Sequence, residues 1–119
     1  MRILIDADAC PVVDLAIKTA LQYKIEIILY CDKNHILEKE NAKTIYVNPG
    51  NDAVDFVLLR DTKENDIVIT QDFGLASMIL GKKAHCIMMW PQKVGLFMRV
   101  EIYISALFFY LMIILRCFS

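Results

Sequence analysis

The 119-residue chain alternates short apolar runs with amphipathic and polar stretches. Residues 2–6 (RILID) are a brief apolar run closed by a turn, which predicts a buried strand. Residues 11–23 (PVVDLAIKTALQY) have helical spacing. Pro11 suits a first helical turn, where no backbone amide is needed, and Asp14 falls near the positive end of the helix dipole. Val12, Leu15, Ala16, Thr19 and Ala20 are the expected inner stripe. Residues 25–30 (IEIILY) predict a second strand, 32–41 (DKNHILEKEN) a polar loop with room for one helical turn, and 43–47 (KTIYV) a third strand. NPGN at 48–51 is a turn. Residues 52–63 predict a helix that sets Ala53, Phe56, Val57 and Arg60 on neighbouring turns. ENDIVIT at 64–70 reads as a turn running into a fourth strand, 73–82 as a short helix and 84–87 (AHCI) as a fifth strand.

The resulting order is β-α-β-β-α-β-α-β. Strands apolar on both faces and separated by helices imply a mostly parallel sheet covered on both sides, an α/β domain over residues 1–87. No internal repeat or low-complexity linker interrupts it.

That order gathers acids. Asp6 and Asp8 follow strand one, Asp52 and Asp55 open the helix after strand three, and Asp72 follows strand four. In a parallel sheet all of these fall at the carboxyl edge, where open α/β sheets hold ligands. Converging carboxylates repel unless something positive sits between them. A hard divalent cation with oxygen ligands, Mg²⁺ or Mn²⁺, meets that need and suits attack of water on a phosphodiester. Each acid also has a plain structural reading. Asp8 can cap the helix that Pro11 begins, Asp52 or Asn51 the next, and Asp72 the third, while Asp55 complements a helix dipole. Asp6 resists that reading, because it closes a strand too far from Pro11 to cap the helix. Thr70 and Gln71 can bind phosphate oxygens or simply finish the strand. Lys18, Lys24 and Lys33 are expected in solvent.

Composition narrows the partners. Thirteen basic residues against 14 acidic give a net charge of −1, so there is no broad basic field for nucleic acid. Cys10, Cys31, Cys86 and Cys117 lie far apart with no CxxC pair, and His35 and His85 lack zinc-ligand spacing. With no apolar leader in MRILIDADAC, the expectation is a reducing cytoplasm and free thiols. Cys10, beside a helix start, fits either a lowered thiol pKa or a packed small residue.

IDADACPV at 5–12, PGNDAVDFVLL at 49–59 and NDIVITQDFGLASMIL at 65–80 together resemble the YaiI/YqxD family. This is a bacterial family of uncharacterised proteins grouped by fold with PIN-like nucleases. The resemblance covers about residues 1–87 and implies a three-layer PIN-like (Rossmannoid) α/β domain. PIN-like nucleases keep an acid at the end of strand one and another in an h-h-T-x-D run, which Asp6 and Asp72 match. Asp52 resembles the acid that opens a central helix in the related NYN nucleases. The usual mid-chain glutamate of PIN domains has no match. The implied function is a Mg²⁺- or Mn²⁺-dependent nuclease acting on RNA, with Asp6, Asp52 and Asp72 catalytic and Asp8 and Asp55 completing the metal set. Two alternatives stand beside it. DADAC also resembles the start of haloacid-dehalogenase-type phosphatases, with Asp6 as nucleophile and Asp8 as general acid. A non-catalytic PIN-like binding module is the other. No small-molecule cofactor is implied, and the oligomeric state is open.

The chain departs from the resemblance at 88–119, where 102–115 (IYISALFFYLMIIL) carries no charge. That run is shorter than the roughly 20 residues a membrane span needs. It is also apolar all round, unlike a surface helix. Read in the shifted frame, the codons allowed from Met88 to Tyr103 permit D-V-A-P-K-S-G-A-V-Y-E-S-G-N-I. This string holds the proline-glycine turn and the G-x-x-Y-x-x-x-x-I run with which the family continues. A frameshift near residue 88 is therefore the expected origin of the tail, with any membrane contact confined to it.

Overall fold

The computed structural model describes residues 1–7, 13–34, 37–48, 50 and 53–88, with the backbone alone at Met88. Eight elements follow in order. They are β1 (Arg2–Asp6), α1 (Val13–Gln22), β2 (Glu26–Asp32), β3 (Lys43–Val47), α2 (Ala53–Asp61), β4 (Ile67–Thr70), α3 (Phe73–Gly81) and β5 (His85–Met88). The five strands form one sheet in the order β3-β2-β1-β4-β5, and every pairing is parallel. The α/β expectation holds, and the sheet is parallel throughout rather than mostly so.

Strand alternation divides the core in two. Ile3, Ile5, Ile27, Leu29, Ile67 and Ile69 point to one face, where Val13, Ala16, Ile17 and Ala20 of α1 cover them. Leu4, Ile28, Tyr30 and Val68 point to the other, against Leu58 of α2 and Leu75 and Ile79 of α3. The result is three layers, helix on sheet on helices. β1, β4 and most of β2 have both faces covered, which explains why their sequences run apolar without a gap.

The elements differ from expectation in places. β2 continues through Cys31 and Asp32, because β3 pairs with it as far as Asp32↔Val47. The inner stripe of α1 is Val13, Ala16, Ile17, Thr19 and Ala20, with Leu15 half-buried, a rotation of the expected face by about one residue. Pro11 and Val12 lie outside the described residues. In α2 the buried residue is Leu58, whereas Phe56 is 67% exposed. Two residues further along a helix is about 200° around it, so Phe56 and Leu58 fall on opposite sides. Lys18, Lys24 and Lys33 are exposed, as expected. Residues 89–119 of the tail lie outside the described residues, and among those described no helix is long and apolar enough to cross a membrane.

Helices α1 and α3 end alike. After α1, Lys24 takes φ 56°, its N–H bonds Leu21 O at 3.2 Å, and Ile25 N–H bonds Ala20 O at 2.8 Å. After α3, Lys83 takes φ 61°, with Lys83 N–H on Leu80 O at 3.0 Å and Ala84 N–H on Ile79 O at 3.4 Å. Both are Schellman caps with lysine in the left-handed position that glycine usually fills.

At the amino edge a buried carboxylate ties the elements together. Asp66, 3% exposed, accepts from Arg2 Nη2 at 2.7 Å, Arg2 Nε at 3.4 Å, Arg2 N at 3.2 Å and Lys63 N at 2.9 Å. The same Arg2 Nη2 donates to Asp61 O at the end of α2, 2.8 Å away, and Tyr30 Oη donates to Asp61 Oδ2 at 3.0 Å. Burial and the bond to Asp61 push the Tyr30 hydroxyl well above its ordinary pKa. Arg2 and Asp66 thus fix the starts of β1 and β4 against the end of α2, leaving the opposite edge free to carry chemistry.

Candidate functional site

The chain leaves β1 in one direction through β2 and β3, then returns to β4 on the other side. The switch point of this sheet is therefore between β1 and β4, and the crevice outside their carboxyl ends is the favoured ligand position in such folds. Asp6 is the last residue of β1, in register with Tyr30 of β2. The β1–β4 pairing runs to Ile5↔Ile69, so Asp6 is level with Thr70, the last residue of β4. Leu4 and Val68 point toward α2 and α3, and alternation places Asp6 and Thr70 on that same face.

Both helices on that face begin at the carboxyl edge. Asp55 lies in the first turn of α2. Asp72 is the N-cap of α3, with its Oδ1 accepting from Leu75 N at 3.0 Å. The carboxyl groups of Asp55 and Asp72 are in hydrogen-bond contact across the gap between the helices. Asp72 is held below the usual carboxylate range, first by the Leu75 N–H, then by the bond with Asp55, and also by the Gly74 N–H. Two carboxyls in contact offer oxygens that a single cation can bridge.

The structure therefore brings two of the sequence-derived acids, Asp55 and Asp72, into contact, and sets Asp6 at the same edge and on the same face. Asp8 and Asp52 lie outside the described residues, as does Cys10. Among the described residues no three of His, Cys, Asp and Glu stand close enough together to hold a metal ion. The capping reading of Asp72 holds alongside its pairing with Asp55, since one oxygen can take the Leu75 amide while the carboxyl faces Asp55. Thr70, 1% exposed, ends β4 with Oγ1 accepting from Asp72 N at 3.1 Å, so it shapes the turn into α3. Cys86 is a thiol pushed up to about 11 by burial, the opposite of the lowered pKa of a nucleophile, and Cys31 is buried in the sheet.

Sequence reasoning missed two features. The contact of Asp55 with Asp72 depends on α2 and α3 lying side by side, and strand order cannot be read from spacing alone. The other is the closeness of Gly74 to Asp72. A Cβ built on Gly74 would stand 3.3 Å from Asp72 Oδ1. The only signal in the sequence was a glycine in a first helical turn, where it has no conformational advantage.

Residues 4–92 match the family model described as an uncharacterized BCR, YaiI/YqxD family. The chain is 46% identical over 87 residues to a UPF0178 protein of Clostridium novyi (strain NT), covering 73% of this chain and 58% of that one. It is 48% identical over 87 residues to a UPF0178 protein of Clostridium tetani (strain Massachusetts / E88), covering 73% and 60%. A UPF0178 protein of Lachnoclostridium phytofermentans is 50% identical over 84 residues, covering 71% and 56%. The matched stretch thus spans 56–60% of the length of these relatives. No solved structure matches the chain. The family model spans most of the chain and the relatives share nearly half of its matched residues, and the chain belongs to the YaiI/YqxD family of uncharacterized proteins.

Proposed function

We propose that the carboxyl edge of this sheet is the divalent-cation site of a phosphodiesterase-like protein acting on RNA. The observation that carries this reading is the contact between the Asp55 and Asp72 carboxyls, at the switch point and on the face that Asp6 shares. Converging carboxylates repel when both are charged, and a cation between them relieves that repulsion. An all-oxygen donor set fits Mg²⁺ or Mn²⁺ rather than a softer metal. Asp55 and Asp72 would hold the ion, with Asp6 at the same edge and Asp8 and Asp52, which lie outside the described residues, as the further acids of the set. Such an ion would polarise a phosphoryl oxygen and lower the pKa of a bound water. The residues of the chain then have separate tasks. Thr70 and the Leu75 amide fix the Asp72 carboxylate, and Asp55 closes the site from the neighbouring helix. The resemblance of Asp6 and Asp72 to the paired acids of PIN-like nucleases favours RNA over a small phosphate ester.

The test is hydrolysis of a fluorescently labelled single-stranded RNA by the full chain in Mn²⁺, compared with Asp6→Asn and Asp72→Asn. The reading expects cleavage that needs Mn²⁺ and falls at least a hundredfold in both variants. Cleavage that survives either substitution would show it to come from a contaminant or another site, and would end the proposal.

A further inference from the structure

We propose that the outer side of α3 is a self-association surface, on which two copies of this chain pair antiparallel about a two-fold axis that passes between their Ser77 residues. Of the large apolar side chains exposed among the described residues, Phe56, Phe73, Met78 and Leu80 all belong to α2 and α3, with Met1 and Leu21 elsewhere. The sequence of α3, FGLASMILG, holds no charged residue. Leu75 and Ile79 already cover the sheet, so Phe73 at 70% exposure and Leu80 at 60% add nothing to the core. A helix whose outer side meets water ordinarily turns polar residues outward, as α1 does with Asp14, Lys18 and Gln22. α3 does not, and a contiguous apolar outer side marks a surface that meets another. Phe56 extends it from the neighbouring helix, which Lys82 Nζ ties to α3 by donating to Leu59 O at 2.7 Å.

The order of residues along that side fits a second copy in one orientation. Phe73 and Leu80 are seven positions apart, so they stand within about 20° of each other and about two turns apart. Antiparallel pairing about the midpoint sets Phe73 of one copy on Leu80 of the other, and the reverse, which is the self-complementarity a two-fold interface needs. Between them the surface is low, because Gly74, Ser77 and Gly81 are exposed and small, so the backbones can approach closely. Ser77 Oγ donates to Phe73 O at 3.1 Å, so its hydroxyl has a partner before the surface is covered and burial orphans no donor. The charges agree with the same orientation. Exposed Asp72 precedes Phe73, and exposed Lys82 and Lys83 follow Leu80. The antiparallel pair brings the acidic end of each helix to the basic end of the other, whereas a parallel pair sets like charges together. A net charge of −1 leaves little repulsion between copies. Covering Phe56, Phe73, Met78 and Leu80 removes about 400 Å² of apolar surface per copy. A stable interface of roughly 800 Å² per partner is a little over half apolar, about 450 Å².

The experiment is sedimentation velocity of the full 119-residue chain over a hundredfold range of concentration, with Phe73→Glu and Leu80→Glu beside it. The unmutated chain is expected to form a dimer that dissociates on dilution. Each variant is expected to keep its circular dichroism spectrum and to raise the dimer dissociation constant at least tenfold. A glutamate at position 73 favours the start of α3, so a loss of dimer there is not a loss of helix. Ser77→Cys tests the axis. In a chain that also carries Cys10→Ser and Cys117→Ser, it is expected to cross-link into dimers under mild oxidation, while Lys18→Cys, on the helix that covers the other face of the sheet, does not. A chain that sediments as a monomer throughout overturns the proposal, as do assemblies that grow past the dimer. So does a dissociation constant that stays within twofold in both glutamate variants, the result expected if the apolar run at 102–115 joins the copies instead. A Ser77→Cys chain that cross-links no faster than Lys18→Cys refutes the antiparallel axis and with it the proposal. Should Leu80→Glu fail to fold, Phe73→Glu and the cross-link still decide the matter.

Discussion

Asp72 has two tasks, capping α3 and facing Asp55, and substitutions separate them. Asp72→Ala removes the Oδ1 that holds the Leu75 amide at 3.0 Å, leaving an orphan donor at the helix start. Loss of such a cap costs about 1 kcal/mol. Asp72→Asn keeps an oxygen in that place, and asparagine caps as well as aspartate. It gives up the interaction of the charge with the helix dipole, about 0.5 kcal/mol at an exposed site. It keeps a polar partner for the Asp55 side chain, whose bond helps to hold Asp72 below the usual carboxylate range. The Asn variant should therefore match the unmutated chain within about 0.5 kcal/mol, with alanine about 1 kcal/mol lower. Urea unfolding followed by circular dichroism measures both. The pH dependence adds a check. The pKa of Asp72 is depressed in the folded state, so its contribution is present above the ordinary carboxylate range and is lost as pH falls through and below it. That acid limb should flatten in Asp72→Asn. Equal stability of the Asn and Ala variants would refute the capping geometry, and a loss in Asn as large as in Ala would show that the charge and not the oxygen carries the cap.

Three further outcomes follow from the fold. Asp66→Ala should cost about 3 kcal/mol, the low end for breaking a buried pair, because the Arg2 side chain is 23% exposed and can regain water; a urea-derived loss under 1 kcal/mol would show that the amino-edge network is ornamental. Lys24→Gly and Lys83→Gly should each raise stability by about 0.5–1 kcal/mol, since a lysine in the left-handed region is strained where glycine is not; thermal unfolding reads this, and a drop in both would refute the cap assignment. Cys86, its thiol pushed up to about 11, should resist iodoacetamide at neutral pH in the folded chain and react once unfolded, as mass spectrometry of its peptide would show.

The layers were legible because burial leaves a direct mark on sequence. RILID, EIILY and IVIT can only be strands covered on both faces, and all three lie in the middle of the sheet. The carboxyl-edge placement of Asp6, Asp55 and Asp72 followed from element order alone, since every β-α connection in a parallel sheet starts there. Helix faces were less legible. α2 is short and mixed, so its sequence singled out no inner residue, and packing against the sheet buries Leu58 and leaves Phe56 exposed. The Arg2–Asp66 bond spans 64 positions and leaves no local trace. Gly74 was invisible for a different reason: its meaning lies in an atom it lacks, and only coordinates show what that atom would strike.

The most direct test of the central claim is Mn²⁺ binding to the full chain, followed by the loss of the free-ion electron paramagnetic resonance signal. A cation site at the switch point predicts about one tightly held ion per chain, displaced by excess Mg²⁺. It also predicts at least tenfold weaker binding in both Asp55→Asn and Asp72→Asn. An unmutated chain that leaves the Mn²⁺ signal unchanged, or variants that bind as well as it does, would contradict the claim.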